Sequence, residues 1–427
     1  MKTVWKSLAI LFALIAPILA HAQTGVLSVA NYGAVCNGTT DDTAKFQAAA
    51  NAAASLYAST GAPVTVTFAG NCVIAGSVSY GSGVHWRGYG LITVPTGTAT
   101  PTFYAINADN VEWDHVDINF TNSYGASNPY ASGIGWFSST SDSSAHYHVK
   151  ISNCRISNSA WGLSVFYAAG SGSLTDVEIS HNTITSPTVY TNWDGIHVDG
   201  SVSNINIHDN TVLNRGDAAI GLTSDTQNGI GYQLAEATIS NNMLTEDLVG
   251  IDISGSTNVD VVGNYVRATT AAPASQNQNP AFRQIHYEGF YPVNIHTSGN
   301  YFESGSGASY TAKIDPIMIP QSSWPSLNST FEKNVILGTN PLYLRGSGMV
   351  IDGNTFTTSG AWLFVDYDGT DGVATSNVLI GANRWLGNAT IYVGGNASLI
   401  QNVHLAPQLV TGTTTITNGA NVQSVPY

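Results

Sequence analysis

Between Ile151 and Val266 one short phrase recurs, and this repetition restricts the possible fold more than any other feature of the chain. The phrase is an aliphatic residue, two variable residues, an Asn, one variable residue and another apolar residue. It reads Ile151-Ser-Asn-Cys154-Arg-Ile156, Ile179-Ser-His-Asn182-Thr-Ile184, Ile207-His-Asp-Asn210-Thr-Val212, Ile239-Ser-Asn-Asn242-Met-Leu244 and Val261-Val-Gly-Asn264-Tyr-Val266. The Asn position advances by 28, 28, 32 and 22 residues. A period of this size, filled with short alternating strands, marks a solenoid.

Alternation places Ile179, Ile184, Ile196, Val198, Ile205 and Ile207 on one face. A single coil has nothing to bury that face against. Parallel stacking of coils buries it continuously and pairs each backbone with the coils above and below. The recurring Asn suits a sharp left-handed turn, and its amide can bond the Asn one coil away. Cys154 interrupts that ladder at its N-terminal end. The phrase returns more loosely at Asn300, Asn334, Asn354 and Asn383, with a degenerate precursor at Val111-Glu-Trp-Asp114-His-Val116. The expectation is an all-β parallel β-helix of about ten coils.

Low charge supports this. Only 9% of residues are charged, with 13 Lys plus Arg against 27 Asp plus Glu, and there are 43 Gly. Long helices usually carry many more charges. Residues 1–22 read as a secretory signal peptide: Lys2 and Lys6, an apolar run from Leu8 to Leu19, then Ala20-His21-Ala22. The expected location is secreted or periplasmic. The remaining chain, 23–427, reads as one β-helix domain, with an entrance at 23–92, coils at 93–390 and a C-terminal cap at 391–427. Without residues 1–22 the formal charge is 11 minus 27, or −16. So acidic a chain does not fit nucleic acid, and no further stretch reaches membrane-spanning length. The oligomeric state is not legible. Export permits disulfides, and Cys36 and Cys72 are expected to pair, leaving Cys154 free and buried.

One helix is expected, from Thr43 to Ser59, with Phe46, Ala49, Ala53 and Leu56 along its apolar side. Asp41-Asp42 precedes it as a capping pair, and Gly61 with Pro63 ends it. It would cover the open end of the stack. The run Asn31-Tyr-Gly-Ala-Val-Cys-Asn-Gly-Thr-Thr-Asp-Asp-Thr-Ala-Lys-Phe-Gln-Ala-Ala closely resembles the N-terminal signature of the pectate lyase superfamily. That superfamily contains the pectin-lyase-like right-handed parallel β-helix proteins, among them polygalacturonase-like hydrolases, rhamnogalacturonases and tailspike depolymerases. The resemblance implies the fold and an action on polysaccharide. It does not select a reaction, because such scaffolds carry hydrolases, lyases, epimerases and binding proteins.

The candidate chemistry lies in three consecutive coils. They carry Asn192-Trp-Asp194-Gly-Ile-His197-Val-Asp199, Arg215-Gly-Asp217-Ala-Ala-Ile220, and Glu246-Asp-Leu-Val-Gly-Ile251-Asp252. With Ile196, Ile220 and Ile251 stacked inward, Asp194 is level with Ala218 and Val249. His197 and Asp252 then face outward at one rank, with Gly221 between them. Asp194, His197, Asp217 and Asp252 are therefore the expected catalytic patch. Paired carboxylates serve glycoside hydrolysis, one giving a proton and the other activating water or attacking the sugar. The patch also resembles the polygalacturonase-like pattern Asn-Thr-Asp, Gly-Asp-Asp, Gly-His-Gly. That resemblance implies that Asp194 activates water and Asp217 donates the proton. Trp193, Ala218 and Val249 stand where the pattern has Thr, the second acid and His.

Trp193, Tyr190, Arg215, Arg283 and Tyr287 are the expected substrate contacts, with Trp161 and Tyr167 as further rings that could stack on sugar. Insertions at 121–137, 267–292 and 366–372 are expected to flank the binding face. His208 and Asp209 read as turn residues. No cofactor is implied. Asp194, Asp199, Asp217 and Asp252 could offer oxygens to Ca2+, but no calcium-loop spacing is present. The leading expectation is a polysaccharide hydrolase. A lyase or epimerase on uronate polymers would need a cation such as Arg215, Arg267, Arg283, Lys313 or Arg345. A noncatalytic glycan-binding protein is the third reading.

Overall fold

The structure, a computed structural model, describes residues 25–424 apart from 96–100, 122–131, 140, 168–170, 188–192, 228–229, 269–279, 306–310, 316–325, 339–340, 358–360, 366–374, 394–399, 412–413 and 419–421. The signal-peptide reading, Tyr190 and the 366–372 insertion lie outside the described residues, as do 122–131 and 269–279 of the other two insertions.

The chain winds as a right-handed parallel β-helix. One sheet has 13 strands running from Val78–Tyr80 to Thr414–Asn418. A second, of 27 strands, bends at the Asn corner, so most coils give it two strands, such as Ser173–Ser180 and Thr183–Thr185. Thirteen rungs exceed the ten that the phrase marks, because the first and last coils close without it.

Side chains one coil apart stack in register. Leu163, Ile196, Ile220, Ile251 and Phe282 form one inward column, and Ile184, Val212, Leu244 and Val266 another. All are buried. Each contributes on the order of 1.5–3 kcal/mol from burial, and only the parallel register makes these columns continuous.

The Asn ladder spans Asn182 to Asn383. Each side-chain amide donates to the next Asn Oδ1 at 2.9–3.1 Å. It also donates to a carbonyl of the preceding coil, as Asn182 Nδ2 does to Ile151 O at 2.9 Å. The expected left-handed backbone is displaced by one residue. Positive φ falls just before Cys154, at Asn153, and just before the ladder Asn residues from Asn182 to Asn354, at His181, Asp209, Asn241, Gly263, Gly299, Lys333 and Gly353. Turning the corner and bonding between coils are therefore tasks of two adjacent positions. Cys154, at the break, still donates its backbone N–H to Asn182 Oδ1.

Helix α1 (Thr43–Thr60) covers the N-terminal end. Phe46 packs on Phe68, Trp86 and Phe103, sealing the first coil. Gly61 ends the helix in the left-handed region, φ 72. The two acids divide their work: Asp41 caps Thr43 N–H at 3.0 Å, while Asp42 accepts from the N–H groups of Val35 and Cys36. A disulfide joins Cys36 to Cys72, and Cys154 is a buried free thiol.

Candidate active site

Five neighbouring strands of the 13-strand sheet form the floor: β1 (Trp161–Tyr167), β2 (Ile196–Gly200), β3 (Ala218–Thr223), β4 (Val249–Ser254) and β5 (Phe282–Ile285). One outward column reads Ser164, His197, Gly221, Asp252 and Arg283. Asp194 and Asp217 sit in the turns that enter β2 and β3.

Asp194 is buried and doubly engaged. Its Oδ1 accepts the Ala218 N–H at 2.9 Å, and its Oδ2 meets His197 Nδ1 in a short contact. His197 stacks on Phe166 at 5.0 Å and meets the Trp161 ring edge-on at 4.8 Å. Its Nε2 lies 3.9 Å from Asp199 Oδ2. Burial opposes an imidazolium here, but hydrogen bonds and charge from Asp194 and Asp199 outweigh it and push His197 up to about 10. His197 is thus a fixed cation that orients Asp194, which removes it as a general base at neutral pH.

Asp252 is held by Arg283 through both its oxygens, with Nε donating to Oδ1 at 3.0 Å and Nη2 to Oδ2. A carboxylate in such a fork is a charge-setting group. Asp217 is half-buried between these two pairs. Burial and repulsion from Asp194 and Asp252 raise its carboxyl to about 7, with Arg283 and His197 pulling the other way. Gly221 puts no side chain at the middle of the floor. A Cβ on Gly221 would lie 2.6 Å from Asp194 Oδ2 and 3.1 Å from His197 Nδ1.

Arg215 is not a substrate contact. It is completely buried beneath the patch. Its Nε donates to Trp193 O at 3.0 Å and Nη1 to Ser186 Oγ at 2.7 Å and Ser159 O at 3.3 Å. Nη2 donates to Asp194 O at 2.9 Å and to Ala160 O. The Arg215 N–H donates to Asp247 Oδ1 at 2.7 Å. One guanidinium thus satisfies carbonyls of two earlier coils and fixes the turn that carries Asp194. Tyr167 is likewise a core residue, stacked on Trp136 with its hydroxyl turned to Asp142 and Ser144. Trp193 is half-buried and stacks on Trp161 at 5.8 Å, so it belongs to the wall.

The opposite wall comes from two turns. Asp225–Gln227 pairs with Ile230–Tyr232, and Tyr287 bridges Phe290. Phe290 packs over Gly231 and Gly255. Tyr287 is exposed, and partial burial of its hydroxyl together with the charges of Glu288, Asp225, Asp199 and Asp252 raises it. Burial and a hydrogen bond to Asp225 raise Glu288. Asp199 was legible only as a possible Ca2+ oxygen, while Asp225 and Glu288 were missed. The Asp-Gly-Ile-His-Val-Asp199 alternation puts Asp199 on the His197 face and could have flagged it; nothing local marks Asp225 or Glu288.

Residues 105–307 match the family described as NosD, periplasmic copper-binding protein. No curated protein matches the chain in sequence. Among solved structures, the A-module of an Azotobacter vinelandii mannuronan C-5 epimerase is similar at 15% identity and a TM-score of 0.58, covering 94% of this chain and all of that one. The Thermotoga maritima exopolygalacturonase is similar at 11% identity and 0.55, covering 90% and 91%. A Streptomyces thermodiastaticus α-1,3-glucanase catalytic unit is similar at 17% and 0.52, covering 95% and 69%. At these identities the likeness is one of fold: the chain has the pectin-lyase-like β-helix.

Proposed function

We propose that the protein is an exported polysaccharide hydrolase in which Asp217 is the general acid and Asp194 activates water. The observation that carries this is the pair of unlike carboxyls at one lip of the floor. Asp217, half-open and raised to about 7, holds a proton near neutrality, while Asp194 is kept as an acceptor by His197 and the Ala218 N–H. A proton-bearing carboxyl beside a second carboxyl that accepts hydrogen bonds offers an acid and a base. Asp217 gives its proton to the glycosidic oxygen as the bond to the anomeric carbon breaks. Water attacks that carbon and passes a proton to a free lone pair of Asp194, and solvent then restores both groups. Trp161, Trp193 and Tyr287 offer ring faces or edges to sugar along the walls. Export to the periplasm or beyond is supported by the leader-like residues 1–22 and by the periplasmic description of the matching family. Among the described residues no helix is long and apolar enough to cross a membrane.

A second reading, a lyase or epimerase on a uronate polymer, is favoured by one feature. Lys313 is the register partner of Arg283 one coil on, and Arg283 is in turn the register partner of Asp252. A substrate carboxylate could dock there while a base works at C5. The mannuronan epimerase neighbour acts on such a polymer.

The test is product chemistry on polygalacturonate, alginate and α-1,3-glucan. New reducing ends without ultraviolet absorbance of an unsaturated uronide support the hydrolase. That absorbance, or inverted uronates without cleavage, supports the second reading. Binding to a glycan array with no turnover would make this a lectin-like protein.

A further inference from the structure

The corner that carries the Asn ladder has a second, solvent-facing side on the 27-strand sheet, away from the acidic floor. From Cys154 to Asn354 the position before the ladder residue holds a left-handed backbone, and it is Asn or Gly in five coils: Asn153, Asn241, Gly263, Gly299 and Gly353. Three coils depart from this, two adjacent ones with His181 (φ 57) and Asp209 (φ 55) and a later one with Lys333 (φ 54). One position earlier the chain has Ser152, Ser180, Ser240 and Ser298, with Val262, Glu332 and Asp352 in three other coils and His208 in the coil of Asp209. The departures at His181, His208 and Asp209 coincide in space. Ser180 is the register partner of His208, so His181 stands level with Asp209.

The three side chains bring one ligand atom each to within 4.8 Å of one another. His208 Nδ1 is 2.8 Å from Asp209 Oδ2, and His181 Nε2 is 3.9 Å from the same oxygen. The two imidazoles meet edge-on at 5.6 Å. Ligands about 2.0–2.2 Å from a metal ion stand roughly 3–3.5 Å apart. Rotation of the exposed His181 side chain covers the difference. His208 is also oriented from behind. Its Nε2 faces Glu178 Oε1 at 3.8 Å, and Glu178 is itself fixed by Lys150 Nζ at 3.0 Å and Ser180 Oγ at 2.9 Å. A carboxylate behind the far imidazole nitrogen turns the near one toward a metal and raises its basicity.

We propose that His181, His208 and Asp209 form a binding site for a divalent transition-metal ion such as Zn2+ or Cu2+. Two imidazoles and one carboxylate suit ions of this class and disfavour Ca2+ and Mg2+, which select oxygen. Three protein ligands at an open corner leave the remaining coordination positions to water or an external ligand. The site is independent of the hydrolase reading, since it shares no residue with the acidic floor.

Tag-free, chelator-treated protein titrated calorimetrically with Zn2+ tests this. One equivalent is expected to bind. His181→Asn, His208→Ser and Asp209→Asn each install the residue of a neighbouring coil, so the fold is kept and unchanged melting of the metal-free variants checks it. Each is expected to weaken Zn2+ about tenfold or more, by the scale of ligand-shell losses. Cu2+ loaded at one equivalent should show nitrogen coupling in its electron paramagnetic resonance spectrum, lost in the double variant of His181→Asn and His208→Ser. Absence of stoichiometric uptake overturns the proposal. So does uptake that survives all three substitutions together, or that is lost instead with His296→Ser, which removes a separate His–carboxylate cluster on the same sheet.

Discussion

Replacing Asp217 with Asn should stabilise the protein at pH 8 while removing its proposed acid. The carboxyl lies half-buried among Asp194, Asp252, Arg283 and His197, and the balance of burial and charge holds it at about 7. An unfolded chain returns it to about 3.9, a difference of about three units at 1.36 kcal/mol each. The ceiling is therefore about 4 kcal/mol, and solvent contact brings the expected gain to the order of 2–4 kcal/mol. The sign follows from proton binding. Between about pH 4 and 7 the native state holds a proton that the unfolded chain has released, so stability falls as pH rises. The wild-type advantage is complete below about pH 4 and is lost as pH passes through 7. Urea unfolding at pH 4, 6 and 8 reads this directly: the Asn variant should match wild type at pH 4 and exceed it at pH 8. Equal stability at all three values, or a variant weaker at pH 8, would refute the placement of Asp217 in a carboxylate-rich pocket.

Two further substitutions separate scaffold from chemistry. Arg215→Met strands the buried carbonyls of Ser159, Ala160, Trp193 and Asp194 and leaves Asp247 beside no cation. A loss of about 3–5 kcal/mol in chemical unfolding is expected; a loss under 1 kcal/mol would contradict its role as a staple. Gly221→Ala places a methyl 2.6 Å from Asp194 Oδ2. Turnover should fall about a hundredfold, the scale of a small misplacement of reacting groups, while the melting temperature moves little; a variant with full turnover would mean that the centre of the floor is not used.

The scaffold was legible because hydrophobic period and Asn recurrence are local signals. Stacking Ile196, Ile220 and Ile251 correctly put His197, Gly221 and Asp252 at one rank. What escaped depended on distant partners. Whether Arg215 points out or in is decided by carbonyls at Ser159 and Ala160, over 50 residues earlier. His197 is buried against the Phe166 and Trp161 rings of the preceding coil, and Asp194 and Asp199 hold its charge against that burial. Asp225 and Glu288 arrive on turns from separate coils, a meeting no local pattern encodes. The one-residue offset between turn and ladder was hidden because Asn serves both positions, as at Asn241 and Asn242.

The most direct measurement of the proposed chemistry compares reducing-end release by wild type and Asp217→Asn on a cleaved polysaccharide, with binding of the same glycan measured alongside. General-acid loss predicts a fall of about 10²–10⁴-fold in turnover with binding retained. Full turnover by the variant would contradict the assignment of Asp217 as the proton donor.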